Sequence, residues 1–228
     1  MKGNRPAMTE VQERPAPGEP TEEGIRLALA SRTPVALDAG SFKAAAVLVP
    51  IFLVDGAWRV LLTRRTSTVD THKGEISFPG GSRDPEDPDL AATALREAEE
   101  EVGIREARLL GRLDDIYTIS NFRITPFVGR IAYPFEVRPQ PREIAEVILL
   151  PLAALVAPGC FVEKLLDRGG LAPFPIYFFY AGGYTVWGAT AKILKQFLDL
   201  CLDFKSTPSG PEVTAAVDEI VGKVKGRR

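Results

Sequence analysis

Gly80-Gly81-Ser82-Arg83-Asp84-Pro85-Glu86-Asp87-Pro88-Asp89-Leu90-Ala91-Ala92-Thr93-Ala94-Leu95-Arg96-Glu97-Ala98-Glu99-Glu100-Glu101-Val102-Gly103-Ile104 decides how the rest of the chain is read. Leu90, Ala91, Ala94, Leu95, Ala98 and Val102 recur at helical spacing and predict a helix with one buried stripe. Asp87 suits its N-cap, Pro88 its first position and Gly103 the left-handed residue past its end, with Ile104 packing back. The polar side is the odd feature. Glu97, Glu100 and Glu101 stand at i, i+3 and i+4, so three carboxylates crowd one face near the C-terminus, where the helix dipole disfavours negative charge. A solvated acidic face is the ordinary reading of such a run. The Gly80-Gly81 turn ahead of it, which lets backbone approach a ligand closely, favours another. A divalent cation would turn the repulsion into coordination.

Working outward, 228 residues with 45% hydrophobic content can bury one good-sized core, so one domain with appendages is expected. The net charge of −2 lacks the basic excess of a general nucleic-acid binder. Cys160 and Cys201 have no metal-ligand spacing and read as reduced thiols of an intracellular protein. The most apolar stretches, such as 44–54, are too short to span a membrane, and residues 1–20 contain no apolar signal region. The cytoplasm is the expected location.

Residues 1–20 hold four prolines and read as disordered or loosely attached, followed by a short helix over 22–32. Residues 43–54 and 58–63 predict strands joined by an Asp55-Gly56 hairpin turn, with 64–76 a loop. Two strands over 107–119 and 122–132 turn at Ser120-Asn121, and 143–156 begins as a strand and turns helical after Pro151. Residues 161–166 and 176–180 pair across Gly169-Gly170, Gly182-Gly183 makes a turn, and 187–204 is a long amphipathic helix. The tail over 213–224 has the pattern of one more helix before the basic Lys223 to Arg228. The mixture lacks regular βαβ alternation, so the class is α/β of the α+β type, a mixed sheet flanked by helices.

The central segment resembles the Nudix box, a loop–helix–loop signature of hydrolases that cleave nucleoside diphosphates linked to another group. The match runs without exception from Arg96 to Ile104. In the first half the distance from the second glycine to the arginine is one residue longer, and Glu86, Asp87 or Asp89 stands for the box's early glutamate. Leu61-Leu62-Thr63-Arg64-Arg65, then His72-Lys73-Gly74-Glu75-Ile76-Ser77-Phe78-Pro79-Gly80-Gly81, is similar to the signature of the coenzyme A pyrophosphatase branch. Val186-Trp187-Gly188-Ala189-Thr190-Ala191 with Ile193-Leu194 extends that likeness, and Asp70 departs from it where the branch carries an arginine.

The resemblance implies an α/β/α sandwich with a mixed sheet over residues 36–206, an N-terminal extension over 1–35 and a tail over 207–228. It implies Mg²⁺ or Mn²⁺ held by Glu97, Glu100, Glu101 and the backbone carbonyl around Gly81, with Arg96 orienting a box glutamate. It implies hydrolysis of coenzyme A or its thioesters to 3′,5′-ADP and 4′-phosphopantetheine. Another nucleoside diphosphate derivative, such as ADP-ribose, NADH, a dinucleotide or a modified triphosphate, is the alternative, and a non-catalytic nucleotide-binding module a third. Glu143 and Glu146 are the downstream candidates for the general base, with Glu143 preferred. Arg64, Arg65, His72, Phe78 and Gly80 are the candidate substrate contacts, Phe78 and Trp187 as stacking surfaces for adenine. The partner is a small nucleotide, with no nucleic acid or membrane, and the resemblance is compatible with a homodimer.

Overall fold

A computed structural model describes residues 7–11, 19–67, 74–166 and 174–204. Its elements are β1 (Ala7–Glu10), α1 (Glu22–Ala30), β2 (Lys43–Val54), β3 (Ala57–Arg65), β4 (Ile76–Ser77), β5 (Gly80–Ser82), α2 (Leu90–Val102), β6 (Ala107–Arg112), β7 (Ile116–Tyr117) and β8 (Phe122–Ile131). They continue with β9 (Ile144–Pro151), α3 (Leu152–Val156), β10 (Phe161–Leu166), β11 (Phe174–Ala181), β12 (Tyr184–Trp187) and α4 (Gly188–Leu202). The sequence-predicted tail helix and the Gly169-Gly170 loop lie outside the described residues.

The main sheet runs β1-β9-β3-β2-β8-β6, with β4 pairing with β3, β5 with β2 and β7 with β8 off this path. The β1·β9 and β2·β8 ladders are parallel and the other pairings along this path antiparallel, so the sheet is mixed as expected. Both of its faces are covered, which explains the nearly continuous apolar runs in its central strands. Ala46, Leu48 and Phe52 of β2, Leu61 of β3, and Val147 and Leu149 of β9 join Ala94, Ala98 and Val102 of α2. Val49 and Ile51, Trp58, Val60 and Leu62, and Ile148 and Leu150 belong to the other face, with α1, α3 and α4. Period-two alternation sorts each strand between the two cores.

Four strands escaped the sequence reading, among them the short β4 and β5, which lie where a loop and the Gly80-Gly81 turn were expected. Residues 7–10, read as part of a loose segment, form β1 on the sheet edge; their alternation is too short to register, and the partner β9 makes the strand. Tyr184–Trp187 is the third strand of a small β10-β11-β12 sheet, so α4 begins at Gly188 rather than at Trp187. The hairpin at Asp55-Gly56 forms as expected, both residues having positive φ (51° and 83°). Residues 107–119 break into β6 and the two-residue β7. Among the described residues no helix is long and apolar enough to cross a membrane.

Helix α2 approaches the sheet through alanines. Ala94 and Ala98 are fully buried against β2 and β9. Enlarging the contact must lift the helix. Ala98→Leu is expected to destabilise the fold by about 1–3 kcal/mol in urea unfolding, and to lower turnover further by displacing the adjacent Glu97 and Glu101.

Candidate active site

The helix that carries the glutamates is capped at both ends, but its start lies later than the sequence suggested. Asp89 is the N-cap: its carboxylate accepts the Ala92 N–H at 2.8 Å, and Leu90 is the first helical residue. Asp89 immediately precedes the first apolar residue of the stripe, which was the usable signal. At the far end Gly103 adopts φ 82°, its N–H bonding to Glu99 O, while the Ile104 N–H bonds to Ala98 O. The left-handed glycine stops the helix, and these two bonds satisfy carbonyls of its last turns.

Asp87, released from capping, has a larger role. It is 7% exposed and accepts Arg96 Nε and Nη2, each at 3.0 Å, the Thr93 hydroxyl at 2.8 Å and the Asp84 N–H at 3.0 Å. The bidentate Arg96 pairing, followed by the Asp84 N–H bond, holds its carboxyl well below the usual carboxylate range. Of the three residues that could replace the early glutamate, the geometry selects Asp87. Arg96 also bonds Glu97 Oε1 at 3.0 Å, Glu100 Oε2 at 3.2 Å and the Ser82 carbonyl at 3.2 Å. It therefore ties the loop, the helix and β5 together.

The three glutamates are not equivalent. The Glu101 side chain is 7% exposed, that of Glu97 18%, and that of Glu100 59%, so Glu100 stands at the rim. Glu101 accepts the Gly80 N–H at 3.3 Å, and Arg65 Nη1 lies 3.7 Å from its other oxygen. A Cβ on Gly81 would sit 2.5 Å from Glu97 Oε1, so only glycine leaves this backbone against the carboxylate. Burial is the main force raising both groups, and it pushes Glu101 up to about 8.

Two desolvated carboxylates facing a bare backbone form an all-oxygen donor set suited to a hard cation, whose charge would reverse the burial penalty. Among the described residues no three acidic, His or Cys side chains are grouped to hold a metal by themselves.

The remaining candidates separate. Glu143 lies on a loop fastened to the end of α2 by Arg138 N–H to Val102 O and Gln140 N–H to Glu101 O, both 2.9 Å, and its charge helps raise Glu101. Glu146 is buried on the opposite face of the sheet, engaged by Thr9, Tyr184 and Arg64, and is excluded as the base. A register shift causes the separation: Arg64 pairs with Glu146 and Arg65 with Ile144, leaving Ala145 unopposed. The unopposed Ala145 turns Ile144 and Glu146 to opposite faces, while Arg64 and Arg65 differ by ordinary strand alternation, and of the two Arg65 lies beside Glu101. Phe78 is 3% exposed in the core, so it is no stacking surface for a base; apolar neighbours outcompete any ligand for it. Trp187 is only partly buried and lies against Phe178 with nearly parallel rings at 6.5 Å. His72 and Asp70 lie outside the described residues.

The pattern of known proteins agrees with this geometry. The NUDIX domain family model matches residues 42–165, more than half of the chain. The chain belongs to the Nudix family. A Nudix hydrolase designated NudL from Photorhabdus laumondii is 36% identical over 154 residues, covering 67% of this chain and 81% of that one. The human mitochondrial coenzyme A diphosphatase NUDT8 is 38% identical over 161 residues, 68% of each chain. The mouse protein of the same name is also 38% identical, over 69% of this chain and 77% of its own. The protein is a Nudix-type pyrophosphohydrolase, and the α2 face is where its family signature lies.

Two measurements follow from Asp87. Asp87→Asn, which loses the charge that holds Arg96, should weaken activation by Mg²⁺ about 10–100-fold, whereas Asp89→Ala should cost about 1 kcal/mol of helix cap with metal activation retained. Titrating activity against Mg²⁺ alongside urea melts separates the two. The folded pKa of Asp87 is depressed, so its stabilisation is present above the unfolded value near 4 and fades as pH falls through the folded one. The difference in melting temperature between the wild type and Asp87→Asn should therefore narrow from pH 6 to pH 3.

Proposed function

We propose that the chain is a divalent-metal-dependent coenzyme A pyrophosphatase, with residues 36–206 as its catalytic domain. It cleaves coenzyme A or its thioesters to 3′,5′-ADP and 4′-phosphopantetheine or its acyl derivative. The observation that carries the substrate is 38% identity over 161 residues to a human protein named as a coenzyme A diphosphatase. The reaction is supported by the buried Glu97 and Glu101 carboxylates against the Gly80-Gly81 strand.

Glu97, Glu101 and the Gly81 carbonyl would hold the Mg²⁺ or Mn²⁺, with Glu100 completing the set from the rim. Such an ion supplies charge neutralisation for the diphosphate and a more acidic water. Arg96, fixed by Asp87, keeps the Glu97 carboxylate turned toward β5. Arg65 offers positive charge to a diphosphate oxygen beside Glu101. Glu143 takes the proton of the attacking water, its loop being anchored to the same helix end. The nucleotide is held by positioning and electrostatics, with no covalent intermediate.

Incubation with coenzyme A and Mg²⁺, followed by chromatographic separation, should yield 3′,5′-ADP and 4′-phosphopantetheine. Turnover of ADP-ribose or NADH without 3′,5′-ADP from coenzyme A would reject the substrate while retaining the reaction class; Asp70, which departs from the branch signature, favours that second reading. Glu101→Gln should lower kcat/KM by on the order of 10²–10³, several kcal/mol of lost charge stabilisation. Glu146→Asp and Glu143→Gln should differ in their pH–rate profiles, only the latter losing the acidic limb, on which a general base becomes protonated.

A further inference from the structure

Glu146, 4% exposed, is a buried ionisable group for which this mechanism has no use. It shares a sheet face with Ile148 and Leu150, away from α2. The Tyr184 hydroxyl donates to its Oε1 at 2.7 Å, and the Thr9 hydroxyl donates to the same oxygen. The Arg64 guanidinium pairs with Oε2. A carboxylate buried among apolar side chains carries a desolvation penalty of several kcal/mol that close partners must offset. Here the partners come from three separate segments, β1, β12 and the end of β3. Two of these, β1 and β12, lie outside the residues 42–165 that match the family, so the flanking segments supply the arrangement.

The consequence falls on Arg64. Its side chain is 45% exposed while Glu146 beneath it is closed off, so one guanidinium nitrogen, Nη2, is drawn to the buried carboxylate as an ion pair and the rest is presented to the surface. It stands at the rim of the site: Arg64 pairs with Ile76 in β4, the Ile76 carbonyl accepts the Thr190 hydroxyl at 3.0 Å, and four residues after Ile76 the chain reaches Gly80. Arg65, on the other face, already lies beside Glu101 and the diphosphate position. An immobilised guanidinium with donors in a rigid fork is suited to a phosphate group, and this one faces away from the diphosphate.

We propose that Glu146 is a positioning residue that holds Arg64 ready for a second substrate phosphate, a monoester separate from the diphosphate that is cleaved. The inference rests on the α2 face being the site of diphosphate cleavage and deepens that reading toward nucleotides phosphorylated on the ribose.

Two substrate pairs differ by one such phosphate: coenzyme A against 3′-dephospho-coenzyme A, and NADPH against NADH. In at least one pair the wild-type enzyme should favour the phosphorylated member by about tenfold or more in kcat/KM, carried in KM, as for a charge-assisted contact. Arg64→Ala and Glu146→Gln should each bring that ratio toward one, and the double variant should be no worse than Arg64→Ala. A purely structural role for Glu146 lowers both members equally and leaves the ratio standing, which overturns the proposal. Equal use of both members by the wild type overturns it too, as does cleavage of neither pair. If Glu146→Gln does not fold, Tyr184→Phe and Arg64→Lys are read on the same ratio, and an unchanged ratio in both has the same consequence. Preference for NADPH with no cleavage of coenzyme A rejects the coenzyme A reading and upholds this one.

Discussion

No atom can be added at Gly80 or Gly81 without collision, and the site depends on that constraint. A Cβ on Gly80 would lie 2.4 Å from the Ala46 carbonyl, and one on Gly81 would lie 2.5 Å from the Glu97 carboxylate. Strand β5 is therefore wedged between the central strand β2 and helix α2. Its register with β2, Ala46 opposite Gly81 and Val47 opposite Gly80, fixes the height of the backbone, and Ala94 and Ala98 fix the distance of the helix. Together they bring the Gly80 N–H to Glu101. Larger residues at any of these four positions would open the gap that the carboxylates now fill.

That closeness creates the electrostatic problem that the neighbouring groups must manage. Glu97 and Glu101 are desolvated by the packing that positions them. Arg96 answers for one of them and Arg65 stands near the other. Arg96 could not be trusted to stay in place with four acidic neighbours competing for it, and the bidentate, buried Asp87 decides its orientation. A short carboxylate on the loop ahead of α2 thus fixes the arginine beside Glu97.

Much of this was legible in the sequence, for identifiable reasons. The apolar stripe of α2, its Gly103 stop and the Asp55-Gly56 hairpin are local features, set by side-chain periodicity and by which residues tolerate positive φ. That Glu97, Glu100 and Glu101 share one side of the helix followed from their spacing. The buried status of Thr93 and Glu101 within that helix did not, because periodicity marks polar residues as outward and cannot register the partner that draws them in. Residues 7–10 and Tyr184–Trp187 are too short to announce themselves, and become strands only because β9 and β11 offer open edges.

The sequence by itself determined the family, the mixed-sheet class, and the helix with its row of carboxylates. Each of these is written in contacts between residues close along the chain or in a signature read directly. Tertiary structure alone decided which acid clamps Arg96, that Phe78 belongs to the core, that Glu146 is no base, and that Arg64 and Arg65 serve different faces. The facing of Glu146 hangs on a single unopposed residue in β9, and the other outcomes on strand pairing and on groups brought together from distant parts of the chain. Spacing along one segment carries no record of where another segment will come to rest.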